Sequence, residues 1–277
     1  MGVEVPLLKQ LKRAWRIIRI LTIMNLRARL EYRADFLISI ALGAVWQVSV
    51  IVFVSVLLVR FPGMGGWTSA QILLLASMRL VSHSLFVLFL GRVQMMGVIV
   101  QEGMIDTYLL RPLPVYRQVQ LSAFNVHALG DLAVATTMLV VAVHHFDLPW
   151  TPTRVGYVAA GLVGGFFVEA AIITAISSLA LHFPGAQMWS FWVQDLIDTF
   201  GSYPLNVLPP IARVIFTYLL PIAFIAYLPA SVATSNLDGI GVPVTLAAMA
   251  PLIGVAAFVA SRLLWNASLR RYQGVNV

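Results

Sequence analysis

Long apolar runs separated by short polar stretches dominate this chain. Stretches near 36–59, 68–90, 118–143, 155–181, 187–204 and 242–265 read as membrane-crossing helices, because a helix needs about 20 apolar residues to cross the hydrocarbon layer. A further apolar stretch, 205–235, follows Pro204 and is cut by Pro209, Pro210, Pro221 and Pro229. Each proline removes a backbone donor and clashes with the preceding turn. The pattern there predicts two short re-entrant helices rather than one straight span. At the start of the chain, Trp15, Ile18, Leu21 and Leu26 alternate with Lys12, Arg16, Arg19, Arg27, Arg29 and Arg33. That spacing predicts an amphipathic helix over 1–35 lying at the membrane interface.

One polar insert stands apart. Residues 101–114, QEGMIDTYLLRPLP, place Glu102, Asp106 and Arg111 around Met104, Ile105, Tyr108, Leu109 and Leu110, then stop at Pro112 and Pro114. A short amphipathic helix near 99–110, ended by prolines at a membrane face, is suited to docking another protein. The blander reading is a plain loop that satisfies topology.

Composition sharpens the class. Hydrophobic residues make up 60% and charged residues 10% of the 277, against about 25% charged in soluble domains. The expected fold is an all-α membrane protein with six transmembrane helices, forming one domain over 36–277 with the re-entrant hairpin before the last span. The net charge of +7 points to lipid headgroups rather than nucleic acid, because the basic residues flank apolar spans. There is no cysteine, which excludes disulfides and thiolate metal sites. No cleavable signal peptide is read at the start, where the apolar core is short and more arginines follow.

Topology follows from the arginines. Six spans put the basic residues of 1–35 on one side with Arg92, Arg111, Arg117, Arg262, Arg270 and Arg271, and leave Arg60, Arg154 and Arg213 on the other. Basic residues favour the cytoplasmic side, so both termini and the 101–114 insert are expected there. The loops FPGMGG (61–66) and HHFDLPWTP (144–152) are then external. Seven spans would move Arg262, Arg270 and Arg271 outside. Gly161, Gly164 and Gly165 form a small-residue face that allows close helix approach.

Ionisable side chains within the apolar runs form a second set of candidates: Arg79, His83, His127, Asp131, Glu169, Asp195 and Asp198. Charges at membrane depth are costly and pair with one another. Arg79 is expected to pair with Asp131 or Glu169. Such residues either fix helix packing or line a path for a headgroup or proton. His83 and His127 lack a third ligand in the sequence for a metal site. A hydrolase is disfavoured by the lack of a G-x-S-x-G elbow.

Three segments together resemble the ABC-2 type permeases, the membrane subunits of ATP-binding-cassette transporters. They are EGMIDTYLLRPLPVY (102–116), YPLNVLPPIARVIFTYLLPIAFIAYLPA (203–230) and LWNASLRRYQG (264–274). They look like the branch of small permeases that works with a second permease and a separate ATPase. The resemblance implies that the helix near 99–110 is a coupling helix gripped by an ATPase. It implies a second permease, identical or paralogous, and two cytoplasmic ATPase subunits in a bacterial inner membrane. Those subunits would carry ATP and magnesium, since this chain has no GxxxxGK[ST] loop and no cofactor of its own is expected. Tyr203, Phe216, Tyr218, Phe224 and Tyr227 of the re-entrant region are expected to form an external gate. The implied activity is export of a lipophilic or amphipathic compound. An ion-coupled secondary transporter using the buried acids is the rival reading.

Overall fold

The structure, a computed structural model, describes residues 23–24, 31, 33–60, 64–123, 125–144 and 149–274. The helix expected over 1–35 lies almost wholly outside them, as do 61–63 and 145–148 of the two expected external loops. The described residues are helical and hold no strand. In order they form α1 (Arg33–Arg60), α2 (Ser69–Leu90), α3 (Met96–Gln101), α4 (Met104–Leu109), α5 (Val115–Leu121) and α6 (His127–His144). There follow α7 (Pro152–Leu179), α8 (Gln187–Phe200), α9 (Pro210–Val214), α10 (Tyr227–Ala233), α11 (Val244–Ala248) and α12 (Ala250–Arg270).

Among the described residues, four helical stretches are long and apolar enough to cross a membrane: Ser69–Gln101, His127–His144, Pro152–Leu179 and Ala250–Arg270. Pro210–Leu219 and Ile222–Ala233 form a pair bent by 73°, either a broken span or a re-entrant loop. The bend falls at Pro221, after a π-turn over Ile215–Leu219, where proline interrupts the backbone ladder. α1 adds 28 residues of mostly apolar sequence.

Local chemistry sets the helix starts. Thr68 caps α2 in a reciprocal capping box with Gln71, and Thr151 caps α7 ahead of Pro152 at its first turn. Both arrangements satisfy donors that a helix start leaves unpaired.

Several boundaries differ from the sequence pattern. The stretch 187–204 yields only the 14 residues of α8, about 21 Å of helix and short of the ~30 Å hydrocarbon layer. The run 118–143 yields two helices, α5 ending at Leu121 and α6 beginning at His127. The amphipathic stretch near 99–110 is two short helices, α3 and α4, hinged at Gly103 with φ +66°, a backbone conformation that glycine adopts without steric cost.

α2, α7 and α12 pack side by side in the same direction, α2 and α7 largely buried and α12 mostly exposed on its outer side. Ser82 donates to the Leu162 carbonyl and Ser177 to the Val93 carbonyl, fixing α2 and the turn after it along α7. Tyr157 donates to the Ala247 carbonyl at one end of the α7–α12 contact, and Phe167 meets Phe258 farther along. Between these points a side chain at Gly254 would overlap the Gly164 backbone, and one at Gly164 would overlap Pro251. The small-residue face of α7 is therefore consumed inside the chain: Gly161 touches Pro229, and Gly165 touches Ile225 and Ser82. α1 meets α6 in the same manner, with Gly43 against His127 and Gly130 against Ile40.

Three apolar cores result among the described residues; the smallest joins Ala76, Leu80 and Val81 of α2 to Ala135 and Met138 of α6, and the other two fill the ends. One, built around Trp67, Leu75, Met78, Val168, Ile197 and Tyr227, fills the end bearing α10 and α11. The other, around Phe86, Val93, Ile105, Tyr108, Tyr116 and Trp265, fills the opposite end. Along α2 and α7, Arg79, His83 and Glu169 fall between them.

Candidate functional site

The first candidate site is the polar insert. α4 turns Ile105 and Tyr108 inward, 0% and 7% exposed, against this chain's own core. Outward stand Leu109 and Leu110, 50% and 88% exposed, with Glu102, Asp106 and Arg111 also exposed and Met104 half-buried. The expectation that Ile105 and Tyr108 would offer packing to a partner is therefore corrected. The outward apolar surface is the Leu109–Leu110 pair, beside Arg111, whose guanidinium lies over the Tyr108 ring at 5.7 Å.

This knuckle is held from within. Gln118 on α5 donates to the carbonyls of Tyr108 and Leu113, each at 2.7 Å, pinning the turn that Pro112 and Pro114 impose. Gln187 at the start of α8 accepts from the Gly97 amide and donates to the Gln94 carbonyl. On α5, Tyr116 hydrogen-bonds Thr174 of α7 at 2.9 Å, meets Trp265 edge-on and lies under the Arg262 guanidinium. The end of the chain joins the same cluster. Gly274 lies against the Asp106 carboxylate. Burial first, then the neighbouring Asp106 charge, pushes the Tyr272 phenol above its usual value.

The second candidate site lies between the two end cores. Arg79, 4% exposed, pairs with Asp198 of α8. Glu169, 0% exposed, meets His83 Nδ1 at 2.6 Å. Gln194 donates to both Glu169 and Asp198 at 2.9 Å, joining the two pairs into one network. The expected pairing of Arg79 with Asp131 or Glu169 is thus corrected, because α8 delivers Asp198 to the guanidinium. Asp195, expected in the same network, is exposed and on a different side of α8 from Asp198, which reaches Arg79 while keeping 45% of its own side chain exposed. Helical geometry gives the reason: Gln194 and Asp198 are four residues apart and share a face, whereas Asp195 is rotated by about 100° from Gln194. Gln194 escaped the sequence reading, although its i,i+4 spacing to Asp198 was a usable signal.

Asp131 stands apart from that network, on the wall of a cavity of about 450 Å³ between α1, α2 and α6. His83 and His127 also line this cavity.

The aromatic residues expected at an external gate divide. Phe216, Phe224 and Tyr227 are buried in the core around Trp67, so they fill space rather than present open faces. Tyr203 is half-buried and Tyr218 exposed.

A family model described as ABC-2 family transporter protein matches residues 44–275, a span holding nearly all of these helices. The chain belongs to the ABC-2 transporter family. No curated protein and no solved structure matches it. An ABC-2 chain of this kind is a multi-pass membrane permease of an ABC transporter, and the family works with ABC ATPase components. It is normally the membrane component without an ATPase site of its own. Within this ABC-2 permease the outward knuckle and the intramembrane polar network are separate: one sits at the end shared by α4, α5 and the end of α12, the other midway along α2 and α7.

Proposed function

We propose that this ABC-2 permease is half of an ATP-driven exporter of a lipophilic or amphipathic compound, gripped at Leu109–Leu110–Arg111 by a separate ATPase. In this reading ATP and magnesium are held by two cytoplasmic ATPase subunits, and a second permease, identical or paralogous, completes the pathway in a bacterial inner membrane. In this reading α1 and the short α8 complete a six-span topology, and the bent segment is a re-entrant hairpin before the last span. The end bearing the knuckle collects Arg92, Arg111, Arg117, Arg262, Arg270 and Arg271 against Arg154 and Arg213 at the other, which supports a cytoplasmic placement for the knuckle and both termini.

The single observation carrying this reading is the exposure of Leu109 and Leu110 on a turn whose interior is fixed. An exposed apolar pair beside a charge, on a rigid base, is the shape of a docking point. Closure of the ATPases on ATP would press the knuckle. Gln118 and Ile105 would carry the displacement into α5 and α3, and Tyr116 would pass it to α7 and α12. A displacement drives transport only if the ATPase grips the two states of the permease differently.

The test is co-purification in mild detergent. Leu109→Asp together with Leu110→Asp is expected to release the ATPase, with the permease still present in the membrane at its normal level. Retention of the ATPase by that double variant would count against the docking point. The buried His83–Glu169 pair favours a second reading, an ion-coupled secondary transporter. An ATPase-dead partner distinguishes the two: export stops under the first reading and persists on an intact ion gradient under the second.

A further inference from the structure

The cavity between α1, α2 and α6 is used neither by the knuckle nor by the Arg79–Asp198 pair. Its volume of about 450 Å³ lies within the range of small-molecule sites, roughly 300–1,000 Å³. Asp131 on its wall is 7% exposed, and its Oδ1 has no hydrogen-bond partner. A buried carboxylate oxygen left unpaired is costly; Oδ1 itself is covered, so a ligand in the cavity meets the charge of this carboxylate through the rest of the group, which lines the wall. Gly43 of α1 packs over that oxygen: a side chain there would meet Asp131 Oδ1 at 3.1 Å and the His127 carbonyl oxygen at 2.3 Å. Trp46 of α1, 71% exposed, lines the cavity, with Leu42 and Val87 as apolar wall.

Charge decides what fits. Among the described residues, the groups that reach this part of the bundle from α2, α6, α7 and α8 are Arg79, Asp131, Glu169, Asp198, His83 and His127. The guanidinium is already taken by Asp198. Glu169 and Asp131 remain, against two imidazoles, so the region lacks negative charge only when both imidazoles are protonated. An anion would meet Asp131 directly. A cation would find a carboxylate and an indole face together.

We propose that this cavity binds an amphiphilic organic cation, its charged head at Asp131 and Trp46 and its apolar body against Leu42 and Val87. The inference deepens the export reading by naming a substrate class, and it rests on that reading only for the ligand's fate.

Binding is measured on the isolated chain in zwitterionic phosphatidylcholine nanodiscs without ATP, using labelled tetraphenylphosphonium and its oppositely charged analogue tetraphenylborate, with empty nanodiscs subtracted. Tetraphenylphosphonium is expected to bind at least ten times more tightly than tetraphenylborate. Asp131→Asn and Trp46→Ala are each expected to weaken it at least fivefold, while Gly156→Ala, at a position with open space, leaves it unchanged. Equal binding of the two probes overturns the proposal without any variant. Unchanged tetraphenylphosphonium binding in a folded Asp131→Asn chain overturns it as well. Because no ATPase is present, loss of ATP-driven export leaves this result standing, and loss of probe binding leaves the docking result standing.

Discussion

Arg79 shows how a single intramembrane charge constrains its surroundings. A guanidinium only 4% exposed is tolerated because Asp198 meets it, and Asp198 in turn is held by Gln194. Breaking a buried pair leaves the remaining charge unsolvated, whereas removing both partners together often costs little. Asp198 keeps 45% of its side chain exposed, so water offsets part of that cost: Asp198→Asn is expected to destabilise the chain by roughly 1–2 kcal/mol, below the range for a fully buried pair, read as a lower melting temperature in detergent. Arg79→Met combined with Asp198→Leu is expected to recover most of that loss. Transport measured on the stable double variant then separates packing from function: normal transport makes the pair a structural fastener, and lost transport makes it part of the pathway. Ile105 teaches a related point. Its sequence neighbourhood reads as amphipathic, but periodicity over six residues cannot say which face points to a partner. In the fold Ile105 is fully buried, so its replacement by a charge would damage this chain before it tested any docking.

Helices were legible from the sequence where one long apolar run made one element. α2 and α7 fall close to the stretches read near 68–90 and 155–181, because an apolar run at least 20 residues long leaves the backbone few options but a continuous helix; the stretch near 242–265 is split between α11 and α12, which runs on to Arg270. The exceptions are elements whose length is set by contacts. α8 stops after Phe200, and the chain turns through Gly201, where a side chain would press on the Ile197 carbonyl. Its polar side, with Ser190, Gln194 and Asp198, faces the bundle, while Trp189 and Trp192 stay exposed. Apolar counting cannot see that inversion. The close crossing of α7 and α12 was only half visible: the glycines of α7 stand out, but their partners Pro251 and Gly254 lie some ninety residues away. Gly254→Leu must push the two backbones apart, and overpacking of this kind costs roughly 1–3 kcal/mol. A melting-temperature drop is expected for Gly254→Leu and none for Gly156→Ala, which meets nothing within 4 Å. Equal melting of the two variants would show that the α7–α12 crossing is looser than described.

At the scale of the whole molecule, the proposed docking raises the question of which parts would move together if an ATPase pressed the knuckle. α4, α5 and the end of α12 share one apolar core through Ile105, Tyr108, Tyr116 and Trp265. Close-packed cores shift as bodies rather than deform continuously. The residues after α12 extend that body, since Gly274 lies against Asp106 and Tyr272 packs on the same core. If the knuckle and the tail travel as one unit, tying them together should not matter. The chain holds no cysteine, so an Asp106→Cys and Gly274→Cys pair can be tested for a disulfide without background reaction from this chain, a side chain at residue 274 lying 3.9 Å from Asp106 Cγ. Oxidation is expected to leave ATP-driven export within about twofold of the reduced protein, as read in vesicles containing the assembled transporter. Export that stops on oxidation and returns with reductant would instead make the tail a moving latch over the docking turn. The force path would then run from Leu110 through a released tail, and Tyr116 would be an anchor rather than a relay.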